Sequence, residues 1–132
     1  MNVMKKVSWV AVLVLGSVFA SQVALAGAVV GDVKDAKKGM KQAVNCNYDK
    51  ALARLDTAIA EGGFAAELAV LEKVVVLLDA GRGAEAEKVL AERNESVGAS
   101  ADDIAEARKS IDQTLEGLRA EREKQTGSRT CP

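Results

Sequence analysis

Apolar residues recur with a helical period along nearly all of the chain beyond its first 26 residues. Leu52, Leu55 and Ile59 fall on one side of a helix predicted from Tyr48 to about Ala60, and an earlier helix is predicted from Val30 to about Val44. Between Ala65 and Ala80 the pattern changes. Leu68, Val70, Leu71, Val74, Val75, Val76, Leu77 and Leu78 make that helix apolar on nearly every side, so it must be covered on both flanks. A fourth helix, Ala84 to about Glu92, would bury Ala86, Val89 and Leu90, with a loop from Asn94 to Ala99 after it. Ser100 then reads as an N-cap with Asp103 three residues on. Ile104, Ala107, Ile111, Leu115 and Leu118 draw one narrow stripe along a long fifth helix, whose other face belongs in water. Glycines at 62, 63, 81 and 83 separate the segments, the one proline is Pro132, and no stretch alternates with period two. The expected fold class is all-α: a short stack of helical hairpins, about five helices in all, closed by a long C-terminal capping helix.

The first 26 residues have a different character. Lys5 and Lys6 precede an apolar run from Val7 to Phe19, and Ala24-Leu25-Ala26 supplies a small-x-small site, which together predict a cleaved signal peptide over 1–26. That run is short for a membrane span of ~20 residues, so no stable membrane anchor is expected after cleavage. A periplasmic or secreted location follows, with a helical domain over 27–125 and an extended tail over 126–132. Without the leader, 16 basic and 19 acidic residues remain, and Tyr48 and Phe64 are the only aromatics. A mildly acidic chain without a basic stripe or stacking platforms lacks the means to hold nucleic acid. The cluster Lys34, Lys37, Lys38 and Lys41 reads as a solvated helix face. Histidine is absent, which removes the usual imidazole base and metal ligand. Asp102-Asp103 and the Asp32, Asp35 pair sit at helix starts, where acidic residues favour the macrodipole without any acid–base role. The expectation is a protein that is not an enzyme, with no cofactor and no metal.

An internal echo supplies the organisation. Asn47-Tyr48-Asp49-Lys50-Ala51-Leu52 returns 35 residues later as Arg82-Gly83-Ala84-Glu85-Ala86-Glu87, the spacing of a repeated two-helix unit. With Gly39 in mid-helix, Tyr48 and Ala51 opening the second helix, Ala58 near its end, Gly81 at the turn and Ala86 in the second unit, the chain from Val30 to about Ser96 resembles the tetratricopeptide repeat family. That resemblance implies repeat packing through Gly39, Tyr48, Ala51, Ala58, Gly81 and Ala86. It also implies a groove lined by the first helix of each unit: Val33, Ala36, Met40 and Ala43, then Leu68, Leu71, Val75 and Leu78. Such an apolar groove suits an amphipathic helix. It would otherwise be filled by the chain's own fifth helix or by a second subunit. The expected function is an exported adaptor that binds a protein or peptide segment, with a self-associating homodimer or a carrier of a hydrophobic small molecule as alternatives. Cys46 and Cys131 in an exported chain favour a disulfide between them, which alternating helices would bring to the same end of the stack. A dimer-linking bridge and free thiols are the other options.

Overall fold

In the computed structural model, residues 30–132 are described, with their side chains from residue 34 onward. The expected signal peptide and its cleavage site lie outside the described residues, as does the side chain of Val33. Five helices make up the described chain, and it contains no strand: α1 (Val30–Val44), α2 (Tyr48–Glu61), α3 (Gly63–Asp79), α4 (Gly83–Ser96) and α5 (Ala101–Thr126).

The repeat is legible in the helix ends. Val44, Tyr48 and Glu61 in the first unit correspond to Asp79, Gly83 and Ser96 in the second, each 35 positions on. The terminations match as well. Beyond α3, Arg82 N–H reaches Leu77 O (2.8 Å) and Gly81 N–H reaches Leu78 O (3.1 Å), with Gly81 left-handed at φ 75°. Beyond α1, Asn47 N–H reaches Gln42 O (2.9 Å) and Cys46 N–H reaches Ala43 O (3.0 Å), with Cys46 left-handed at φ 63°. Both are Schellman endings, which satisfy carbonyls the helix would otherwise leave open. In the first unit a cysteine therefore occupies the slot that glycine fills in the second.

Small residues bring the helices together. Ala51, Ala58, Ala65, Ala69 and Ala86 are fully buried. A Cβ added to Gly39 would stand 3.0 Å from Leu55 Cγ and 3.2 Å from Ala51 O, so α1 and α2 cross so closely that any larger residue would have to push its neighbours aside. Gly81 behaves differently: a Cβ there would meet nothing, and its role is the left-handed turn, not the packing expected of it. The apolar α3 sits at the centre, against α2, α4 and α5, and Val74, Val75, Val76 and Leu77 are buried within it.

The end of α4 differs from expectation. Helix α4 runs four residues past Glu92 to Ser96 and ends in a third Schellman turn at Gly98, so Asn94 to Ser96 belong to the helix and not to the loop. Leu90 and Arg93 face inward and continue the helical pattern. At α5 the expected cap is present: the Ser100 hydroxyl accepts from Asp103 N–H (3.2 Å), and the Asp103 carboxylate accepts from Ser100 N–H (2.9 Å).

Candidate functional site

The C-terminal ends of α1 and α3 meet the last turns of α5, and one guanidinium joins them. Arg122, 1% exposed, uses all five of its N–H groups. Its Nε donates to Val44 O (3.1 Å) and its Nη2 to Ala43 O (2.8 Å), the last carbonyls of α1. Asp79, the last residue of α3, receives Nη1 at Oδ1 (3.2 Å) and Nη2 at Oδ2 (2.5 Å). The fifth donor, from Nη1, goes to Arg129 O in the tail (2.8 Å). Placing this cation at a helix C-terminus also favours the α1 dipole.

Tyr48 completes the cluster. Its hydroxyl donates to Asp79 Oδ2 (2.8 Å), with Cys131 Sγ at 2.9 Å beside it. Burial first, then that hydrogen bond to Asp79, push the phenol up to about 12. Burial also works to raise the Asp79 carboxyl, but hydrogen bonds from Arg122 and Tyr48 and the charge of Arg122 outweigh it and hold the group below its ordinary range. Cys131 is bonded to Cys46, with Cα atoms 5.7 Å apart, so the intramolecular pairing is the one formed. These donors and acceptors are committed to other parts of the chain, so the cluster locks the ends of α1 and α3 to α5 and the tail.

The sequence reading missed Arg122, although a signal was present. Arg122 falls four residues beyond Leu118, in register with the stripe Ile104, Ala107, Ile111, Leu115 and Leu118. A cation on the apolar side of a helix needs a buried acceptor set.

The expected groove is largely closed. Ala36, Ala43 and Val75 are 1%, 0% and 1% exposed and belong to the core, so they line no groove. Met40, Leu71 and Leu78 are half-buried and pack against that core. The cause is that α5 packs along α3 while its last turns close over the end of α1. What remains open is the start of α3. Leu68 is 41% exposed, and Phe64, which the sequence reading placed before the helix, is 78% exposed.

Glu72 continues the spacing of Phe64 and Leu68 by four more residues and sits where the open row meets the core, Val76 next in line being fully buried. Its Oε2 is buried without a hydrogen-bond partner among the described residues. Burial alone raises this carboxyl to about 7. Elsewhere a shallow cleft of about 370 Å³ crosses α2, α3 and α4, with Ile59, Val70 and Val89 in its lining. Its rim mixes Lys73 and Arg93 with Glu67 and Glu92, so it presents no single sign of charge to orient a ligand. Comparison with family models, with curated proteins and with solved structures finds no match to this chain.

Proposed function

We propose that the chain is an exported, non-enzymatic helical-repeat adaptor that binds a protein or peptide segment along the open start of α3, in the assembly of an envelope complex. The observation that carries this reading is the row Phe64 and Leu68, two large apolar side chains left in water on one side of a helix whose later turns are fully packed. The disulfide supports an oxidising compartment, in keeping with the leader-like first 26 residues. The equivalence of helix ends at 35 positions supports the tetratricopeptide-like reading, and stacked hairpins of that kind present surfaces for holding partners.

Site-specific photocrosslinking in the native envelope tests it. A photoreactive residue at position 64 or 68 should give one discrete adduct with another protein, and the same residue at exposed Glu95 should not. An adduct of twice the chain's mass would assign the row to self-association. Identical or absent adducts at all three positions would dismiss the adaptor.

A further inference from the structure

The partner's chemistry is written in what the open row lacks. Exposure falls along one ridge of α3 from 78% at Phe64 to 41% at Leu68 and 0% at Val76, with Glu72 between the open and closed parts. Leu71, half-buried, adjoins Glu72. Other inward-leaning carboxylates have cations within the chain: Asp79 has Arg122 and Arg119, and Asp35 has Arg54. Among the described residues Glu72 has none, and its Oε2 is buried there without a hydrogen bond.

We propose that the open face of α3 receives an amphipathic helix whose aliphatic side chains lie on Phe64 and Leu68 and whose lysine or arginine seats its cation on Glu72. This rests on the adaptor reading above and adds the partner's charge and register to it. An apolar segment over this face would complete the desolvation of a carboxylate and leave it unpaired; an acidic one would set like charges together. A cation flanked by aliphatic residues gives Glu72 the charge-assisted hydrogen bond it lacks while covering Phe64 and Leu68. Selectivity therefore comes from the penalty on wrong partners as much as from attraction to the right one. Burial already raises the Glu72 carboxyl to about 7, which a docked cation would reverse.

A displayed library of helical peptides, with aliphatic anchors at i, i+4 and i+7 and the positions between them randomised, provides the probe. It would be selected against the full chain with its disulfide formed. Enriched peptides should lose binding on Leu68→Asp, carry lysine or arginine at one fixed position, and weaken at least about tenfold when that residue becomes norleucine. Glu72→Gln should weaken the cationic peptides by a similar factor and leave the norleucine versions unchanged. Glu72→Gln removes an unpaired carboxylate, so the variant stays folded, which circular dichroism checks. Peptides that require Leu68 but carry no fixed cation, or that ignore Glu72→Gln, would overturn the cation site and leave the adaptor standing. No enriched peptide sensitive to Leu68→Asp would remove both. A wild-type dimer in sedimentation, dissolved by Phe64→Asp, would give the face to a second copy and overturn the proposal.

Discussion

Arg122 ties two helix ends, the tail and its own helix through one side chain, and its removal strands several partners at once. Arg122→Met leaves the Asp79 carboxylate buried beside Tyr48 and Arg119 alone and frees the carbonyls of Ala43, Val44 and Arg129. The expected loss is about 3 to 5 kcal/mol in denaturant unfolding. Arg122→Lys should recover only part of it, because an ammonium has three donors and no planar fork. A loss below about 1 kcal/mol for Arg122→Met would show that the cluster contributes little. Glu72 acts in the opposite sense with pH. The folded chain keeps its proton up to about 7, whereas the ordinary value is 4.5, so the favourable effect is full below 4.5 and drains away as pH rises through 7. Asp79 is held below its ordinary 3.8, so its contribution is present above that value and lost as pH falls beneath it. Stability should peak near pH ~5. Because Glu72 is partly open to solvent, its share is on the order of 1 to 2 kcal/mol. Glu72→Gln should flatten the alkaline side of the profile while leaving the acid side in place, as read from melts across pH 3 to 9.

Among the elements, the helix ends of the two hairpins recur 35 positions apart, and the cysteine at the first turn is the departure. Cys46 takes the left-handed backbone that Gly81 adopts freely, at a cost of about 1 kcal/mol for a residue with a Cβ. Two variants without the disulfide should therefore differ: Cys46→Gly with Cys131→Ser should be more stable than Cys46→Ser with Cys131→Ser by about 1 kcal/mol. Equal midpoints in urea would show that the turn holds no such strain. Elements of this kind were largely legible in the sequence. The period of Leu52, Leu55 and Ile59, the Ser100 cap and the glycine breaks are local signals, and local signals placed the helices to within a few residues. Which side of a helix ends up covered is decided by packing between segments distant in sequence. For that reason the alanines at 36 and 43 read as groove but lie in the core, and Arg122, which lies in the lock, went unread. Phe64 stands in the first turn, where period counting has least to work with.

For the molecule as a whole, the bridge between Cys46 and Cys131 closes a loop across 85 positions. A loop of that length restrains the unfolded chain strongly, by about 4 to 5 kcal/mol in the chain-entropy account. Reduction by a dithiol should lower the melting temperature by ~15 °C or more. The reduced protein should also lose protection from hydrogen exchange first near the tail and the last turns of α5, where Arg129 O would no longer be held against Arg122. Uniform loss of protection along all five helices would mean that the bridge acts on the global fold alone.

The order in which a ribosome makes the chain gives the lock a further meaning. Both hairpins exist before Arg122, so the Ala43 and Val44 carbonyls and the Asp79 carboxylate wait for its donors until the final stretch is added. A product that stops short of Arg122 leaves the Ala43 and Val44 carbonyls without this donor and Asp79 with the Tyr48 hydroxyl but no guanidinium fork, so it should unfold at lower denaturant than the full chain.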